Sequence, residues 1–170
     1  MADNSSTQPV GAAQPRKAAV LGSPIAHSKS PVLHLAAYRA LGLDTWTYDR
    51  IECTAEQLPG LVSGLGPEWV GLSVTMPGKL AALEFADIAT ERAQIVGSAN
   101  TLVRTEDGWR ADCTDIDGVT GALADAGLGD VTGRHAIVVG AGGTARPALV
   151  ALANLGIGSV TIIARDQERA

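Results

Sequence analysis

Aromatic residues are scarce in this chain. Its 170 residues include three Trp, two Tyr and one Phe, whereas 46% of the residues are hydrophobic. Such a composition disfavours an all-β sandwich and suits aliphatic strands that are buried between helices. Because the hydrophobic fraction is large enough to form a core, we expect an α/β fold rather than a disordered chain.

Positive charge is also in short supply. The chain has 13 Lys and Arg against 18 Asp and Glu, which gives a formal net charge of −5 at pH 7. No local cluster of Lys and Arg offsets this balance. The charge argues against a nucleic-acid partner and favours a small-molecule ligand.

Paired cysteines and long apolar runs are absent. Cys53 and Cys113 are isolated and lack C-x-x-C spacing, so we expect neither a metal site nor a disulfide framework, as fits a reducing cytoplasm. No apolar run reaches the roughly 18 residues of a membrane-spanning helix. Residues 1–17 are polar and lack the pattern of a signal peptide, so we expect a flexible N-terminal tail.

Strand-like and helix-like segments alternate over residues 18–117. Apolar or alternating runs such as "KAAVLG", "TWTYDRIEC" and "WVGLSVT" are separated by segments with helical periodicity. This order is typical of βαβ units and predicts an α/β domain with a mainly parallel sheet. The Asp107-Gly108 step predicts one antiparallel hairpin.

Three helix starts are predicted from local chemistry. Pro31 suits the first turn of a helix with Ser30 as its N-cap, and Thr54 is expected to cap the next helix. A third helix is expected over "KLAALEFADIA", which begins at Lys79.

Residues 118–170 contain a helix, then a strand, a glycine turn, a helix and a second strand. The turn from Gly140 to Ala145 fits G-x-G-x-x-A, in which the first two glycines permit a tight turn and close approach of a pyrophosphate. We therefore predict the first part of a Rossmann-type dinucleotide-binding domain. Because the chain stops at Ala170, we expect this domain to be cut short.

The end of the second strand bears on the choice of cofactor. Ala164, Arg165, Asp166 and Arg169 stand where a dinucleotide's adenosine ribose would bind. Two guanidinium groups can bind a 2′-phosphate, which favours NADP over NAD. Asp166 could repel that phosphate or orient Arg165.

Polar residues follow several of the predicted strands. Taken singly, each has an ordinary structural role, such as the N-cap at Ser30 or a solvated charge at Lys79. Ligands nevertheless bind at the carboxyl ends of strands in α/β sheets. Taken together, these residues would form a donor-rich pocket with one cation and one anion, suited to a small polyol or carboxylate: Ser28, Ser30, Thr75, Lys79, Asn100 and Asp115.

Five motifs in this order resemble those of shikimate dehydrogenase, and the resemblance covers nearly the whole stretch from Leu21 to Arg169. They are "SPIAHSKSPVLH", "SVTMPGK", "GSANTL", "DCTDIDG" and "VVGAGGTARPAL". The resemblance implies a two-domain, NADP-dependent enzyme that interconverts 3-dehydroshikimate and shikimate on the route to aromatic amino acids.

The resemblance also implies roles for individual residues. Lys79 and Asp115 would be the catalytic pair, with Lys79 donating a proton during ketone reduction, because an adjacent carboxylate favours a protonated lysine. The residues that would bind substrate are Ser28, Ser30, Ser73, Thr75, Lys79, Asn100 and Asp115. Those that would lie at the cofactor are Glu91, Gly140, Ala141, Gly142, Gly143, Thr144, Ala164, Arg165 and Arg169.

Some residues depart from the family pattern. Ser73 and Cys113 stand where the family usually has asparagine, and Ala164 and Asp166 alter its N-R-T cofactor motif. Two alternatives stay open: a quinate/shikimate dehydrogenase with relaxed cofactor use, and a noncatalytic substrate-binding fragment with an incomplete nucleotide domain. An incomplete sheet would also expose an edge, which favours a homo-oligomer.

Overall fold

The computed structural model describes residues 14–165, which form two sheets flanked by helices. The strands are β1 (Arg16–Gly22), β2 (Trp46–Glu52), β3 (Trp69–Val74), β4 (Ile88–Ala89), β5 (Thr101–Thr105), β6 (Gly108–Asp112), β7 (His135–Val139) and β8 (Ser159–Ile163). The helices are α1 (Ser30–Ala40), α2 (Leu58–Ser63), α3 (Lys79–Phe85), α4 (Glu91–Val96), α5 (Asp115–Asp125) and α6 (Ala145–Asn154). The predicted α/β class is confirmed.

The larger sheet has six strands in the order β2-β1-β3-β5-β6-β4. Strand β1 is parallel to β2 and β3, and β4 is parallel to β6, whereas β5 is antiparallel to both β3 and β6. The predicted hairpin is therefore present between β5 and β6. Gly108 follows its turn with φ of 108°, a conformation that glycine adopts without steric cost.

Both faces of the larger sheet are covered by apolar packing. On one face, a core that includes Leu21, Leu72 and Leu102 packs with Leu58 and Val62 of α2. On the other face, Ala18, Val20, Ile25 and Tyr48 pack with α1. Since β1 contributes to both clusters, its nearly continuous apolar sequence matches a strand that is buried on both sides.

Two predicted helix starts are wrong. Ser30 is the first residue of α1 rather than its N-cap, although Pro31 does lie in the first turn as expected. Helix α2 begins at Leu58, and the Thr54 N–H donates instead to Gln57 Oε1 at 3.0 Å. Pro59 explains the start of α2. A proline lacks an N–H and fits only the first turn of a helix, so it fixes the beginning of α2 near Leu58.

The third predicted helix is shorter than expected. Helix α3 ends at Phe85, and Ile88–Ala89 pairs with β6 as a short strand. Asp87 fixes this change of direction, since its N–H donates to the Trp109 carbonyl at 2.9 Å and its carboxylate accepts from the Trp109 N–H at 2.8 Å. The following α4 was not predicted, although Thr90 Oγ1 caps it by accepting from the Ala93 N–H at 3.3 Å.

The smaller sheet confirms the predicted strand, glycine turn, helix and strand. Strands β7 and β8 are parallel, and α6 connects them. This unit packs against the first part of the chain through a buried cluster of residues from α4, the β6–α5 junction, α5 and α6: Ala93, Val96, Cys113, Ile116 and Ala151. Helix α5 crosses the boundary expected at residue 117, which stays a prediction.

The predictions at both chain ends lie largely outside the described residues. This holds for residues 1–13 of the expected tail and for Asp166 and Arg169 of the expected cofactor site. Among the helices formed by residues 14–165, none has the length and apolar character needed to cross a membrane.

Candidate active site

Hydrogen bonds bring the predicted polar residues to one edge of the larger sheet. Parallel strands β1 and β3 end at this edge, and antiparallel β5 begins there. The Val74 N–H donates to the Asn100 carbonyl at 2.7 Å, and the Asn100 N–H donates to the Asp112 carbonyl at 3.1 Å. The segments that follow β1, β3 and β6 therefore meet where β5 starts.

Lys79 and Asp115 form an ion pair at this edge. Lys79 Nζ donates to Asp115 Oδ2 at 2.5 Å, and the two side chains are only 16% and 21% exposed. The Lys79 carbonyl accepts from the Ala99 N–H at 2.9 Å, which ties the start of α3 to the β5 side of the site. Lys79 is thus a partly buried, compensated cation rather than a solvated surface charge.

Asn100 holds the second oxygen of the Asp115 carboxylate. Asn100 Nδ2 donates to Asp115 Oδ1 and to Thr114 Oγ1, both at 2.9 Å. Asn100 Oδ1 accepts from the Thr114 N–H at 2.9 Å and from Thr101 Oγ1 at 3.0 Å. Because both ends of the amide are engaged, its orientation is fixed and it orients Asp115 toward Lys79.

The two serines of the loop after β1 lie together, as predicted. Ser28 Oγ donates to Ser30 Oγ at 3.2 Å and accepts from the Ser30 N–H at 3.3 Å. Arg50 fixes the loop by donating from Nε and Nη2 to the Ser28 carbonyl at 2.8 and 2.6 Å. The loop therefore presents two neighbouring hydroxyl groups from a braced backbone.

Ser73 has a partner that sequence reasoning missed. The Tyr48 hydroxyl donates to Ser73 Oγ at 2.7 Å, and the Tyr48 ring stacks on His34 with centroids 4.0 Å apart. Burial raises the pKa of Tyr48, while hydrogen bonding with Ser73 and Ser30 acts in the opposite direction. The sequence of β2 did carry a usable signal. Because side chains of a strand point alternately to the two faces of a sheet, Tyr48 and Arg50 must lie on the same face.

Thr75 follows β3 directly, and its N–H donates to the Leu21 carbonyl at 2.9 Å. This bond places Thr75 beside the end of β1, from which the serine loop departs. Within residues 14–165, no hydrogen bond joins the Ser28–Ser30 pair to the Lys79–Asp115 pair. The two groups lie at one sheet edge and are held by separate hydrogen bonds.

A cleft of about 670 Å³ separates Lys79 from the glycine turn. The residues that line the cleft include Lys79, Ser98, Gly142, Gly143 and Arg146. A Cβ added to Gly142 or Gly143 would meet no non-neighbouring atom of residues 14–165 within 4 Å, so the described residues leave the backbone of the turn uncovered. A ligand bound on the turn would therefore adjoin the Lys79 side chain.

The predicted cofactor residues do not all line this cleft. Ala141, Gly142 and Gly143 do, whereas Glu91 is the exposed first residue of α4 and is not among the lining residues. Arg165 is exposed just after β8. Arg146 was missed by sequence reasoning, although it stands in the first turn of the helix that follows the glycine motif.

No group of three or more potential metal ligands occurs in the part of the chain that the structure describes.

Comparison with known proteins identifies the family. Residues 20–102 match the shikimate dehydrogenase substrate binding domain. The crystal structure of a shikimate 5-dehydrogenase from Mycobacterium fortuitum is similar with a TM-score of 0.83 and 70% identity, over 94% of this chain and 58% of that one. The chain carries the substrate binding domain of the shikimate dehydrogenase family.

Two further relatives agree with this assignment. The structure of shikimate 5-dehydrogenase from Thermus thermophilus in complex with NADP(H) and shikimate has a TM-score of 0.82 and 34% identity, over 91% of this chain and 58% of that one. The shikimate dehydrogenase (NADP(+)) of Microcystis aeruginosa is 38% identical over 88% of this chain and 52% of its own length. The chain thus spans about half the length of the curated shikimate dehydrogenases that it matches.

Proposed function

We propose that the protein is an NADP-dependent oxidoreductase that interconverts 3-dehydroshikimate and shikimate. The observation that carries this proposal is the Lys79–Asp115 ion pair, whose lysine lines the same cleft as the uncovered glycine turn. The names of family relatives and the ligands of the Thermus thermophilus structure support the choice of substrate and cofactor.

The ion pair suits proton transfer at a substrate oxygen. Bound NADP supplies the hydride acceptor or donor for the carbon atom. During ketone reduction, the Lys79 ammonium donates a proton to the carbonyl oxygen and stabilises the negative charge that develops there. Asp115 orients the ammonium through its contact at 2.5 Å and balances its charge. In the reverse direction, Lys79 receives the hydroxyl proton.

The remaining groups at the sheet edge suit a hydroxylated carboxylate. Ser28, Ser30 and Thr75 supply hydroxyl groups, each of which can donate to one acceptor and accept from another donor. The Ser73 hydroxyl accepts from Tyr48, so its own proton is free to be donated to a ligand. Such a set binds a polar ring without requiring a metal.

The glycine turn and the end of β8 fit NADP. Gly140 has φ of 108°, and Gly142 and Gly143 leave their backbone open at the start of the ten-residue helix α6. A helix N-terminus of this kind favours a pyrophosphate. The exposed guanidinium of Arg165 would bind the 2′-phosphate, which distinguishes NADP from NAD.

The decisive experiment compares two substrates and two cofactors. We expect the highest kcat/KM for shikimate with NADP⁺, lower values for quinate, and lower values with NAD⁺ for either substrate. Comparable values for quinate, or for NAD⁺, would favour the relaxed quinate/shikimate alternative. Calorimetric binding of shikimate without any cofactor reduction would instead favour the noncatalytic substrate-binding alternative.

A further inference from the structure

Arg92 bridges two carboxylates outside the pocket described above. Its Nε and Nη2 donate to Oδ1 and Oδ2 of Asp112, each at 2.5 Å. Its Nη1 donates to Asp117 Oδ2 at 2.6 Å. Asp112 is the last residue of β6, and Asp117 lies in the first turn of α5, so one guanidinium joins both sides of the segment that carries Asp115.

Asp112 is held more firmly than a surface carboxylate. Besides the two bonds from Arg92, it accepts from Thr90 Oγ1 and from the Cys113 N–H, both at 2.8 Å. Its side chain is only 17% exposed, and hydrogen bonding to Arg92 holds the pKa of Asp112 at about 2. The Asp112 carboxylate is therefore a fixed, ionised anchor for Arg92 at neutral pH.

We propose that Arg92 is a positioning residue that fixes the first turn of α5 and thereby holds the Asp115 carboxylate against Lys79. This inference rests on the proposed function. Asp115 lies between the two carboxylates that Arg92 holds, and its contact with Lys79 at 2.5 Å leaves little room for displacement. A shift of about 1 Å in a catalytic group can lower a rate by about 100-fold.

Arg104 provides a matched control. It also braces the fold with one guanidinium, donating from Nε to the Trp69 carbonyl and from Nη2 to the Leu65 carbonyl, both at 2.9 Å. Its guanidinium also lies 4.4 Å from the ring centroid of Trp109. None of these contacts involves the segment that carries Asp115. Loss of Arg104 should therefore lower stability without moving the Lys79–Asp115 pair.

The kinetic test compares Arg92→Gln with Arg104→Gln in shikimate oxidation. We expect Arg92→Gln to lower kcat by about 10-fold or more, with the KM for shikimate changed by less than about 3-fold. Arg104→Gln should lower the Tm but leave kcat within about 2-fold of wild type. An unchanged kcat in folded Arg92→Gln, or equal kcat losses in both variants, would overturn the proposal.

A double-mutant cycle tests whether Arg92 acts through Asp115. In an Asp115→Asn background, Arg92→Gln should cause no further fall in kcat, because the group that Arg92 positions is already disabled. Independent, multiplicative losses would contradict the positioning role. If Arg92→Gln folds poorly, Asp117→Asn is the second variant, because it weakens only the exposed contact between Arg92 and Asp117 and leaves the contact with Asp112 intact. Asp117→Asn should then lower kcat by a smaller factor, and an unchanged kcat would count against the proposal.

Hydrogen exchange separates this proposal from the proposed function. We expect faster exchange of the backbone amides of residues 115–119 in Arg92→Gln than in wild type or Arg104→Gln. If wild type fails to oxidise shikimate with NADP⁺, the proposed function is wrong, but this exchange difference still tests whether Arg92 fixes α5. Identical exchange in the three proteins would refute the positioning role.

Discussion

Lys79 and Asp115 are separated by 36 positions in the chain, yet Lys79 Nζ lies 2.5 Å from Asp115 Oδ2. The contact joins the first residue of α3 to the first residue of α5. A lysine at a helix start is ordinarily a solvated charge, mildly disfavoured by the helix dipole. The carboxylate from another helix compensates this charge and gives the lysine a fixed place in the cleft.

Asp115→Asn should impair turnover while preserving the fold. The amide keeps the size of the side chain but removes the charge that orients Lys79, so we expect kcat to fall by about 100-fold. Asp125→Asn is the matched control, since Asp125 is the exposed last residue of the same helix. Steady-state kinetics would contradict this prediction if Asp115→Asn raised only the KM for shikimate.

Gly142→Ala should weaken NADP binding without loss of stability. Apart from its chain neighbours, no described residue has an atom within 4 Å of a Cβ added at Gly142, so the methyl group should be tolerated by the fold yet project where a pyrophosphate would approach. We expect a Kd for NADP⁺ about 10-fold higher by calorimetry, with an unchanged Tm. Gly129→Ala, which also places a methyl group in open space, is the control. Equal NADP⁺ affinity in all three proteins would count against the assigned turn.

Arg165→Ala should change the preference between cofactors. Loss of the guanidinium should raise the KM for NADP⁺ by about 10-fold and leave that for NAD⁺ almost unchanged, because only NADP⁺ carries the 2′-phosphate. Arg134→Ala removes an exposed arginine immediately before β7 and should affect neither value. A similar change in KM for both cofactors would show that Arg165 does not bind the 2′-phosphate.

Protonation of Asp112 at acidic pH should lower the free energy of unfolding. Hydrogen bonding to Arg92 lowers the pKa of Asp112 from 3.8 to about 2. The resulting stabilisation is present above about pH 4 and is lost as the pH falls toward about 2. The free energy of unfolding should therefore fall across this window in wild type and less steeply in Asp112→Asn. If the free energy of unfolding showed the same dependence on pH in both proteins, the stabilising role of the Asp112 carboxylate would be refuted.

Much of the site was predictable because its residues follow strands. The ends of β1 and β3 place Ser28, Ser30 and Thr75 at the ligand-binding edge of an α/β sheet. The glycine turn was likewise recognisable from its spacing between a strand and a helix. The positions of Lys79 and Asp115 at segment ends predicted one pocket that holds both charges. Only the ordered set of family motifs predicted that the two residues act as a catalytic pair.

Other features depend on contacts that local sequence does not contain. The hydrogen bond from Tyr48 to Ser73 joins residues 25 positions apart, and Arg92 meets Asp112 after 20 positions. The cap predicted at Thr54 failed because Pro59 fixes a later helix start. Helix α4 has only six residues, too few for its periodicity to be recognised, although Thr90 at its N-cap and Gly97 just after its end are usable signals.

The most direct test of the account is the steady-state rate of NADP⁺-dependent shikimate oxidation by Lys79→Ala. Lys17→Ala is the matched control, since Lys17 also pairs with a carboxylate, that of Glu68, but at an exposed site with a 3.7 Å separation. We predict that Lys79→Ala lowers kcat by about 100-fold to 10,000-fold, far more than it raises KM, while Lys17→Ala retains wild-type kinetics. A near-normal kcat in Lys79→Ala would contradict the proposed role of the ion pair.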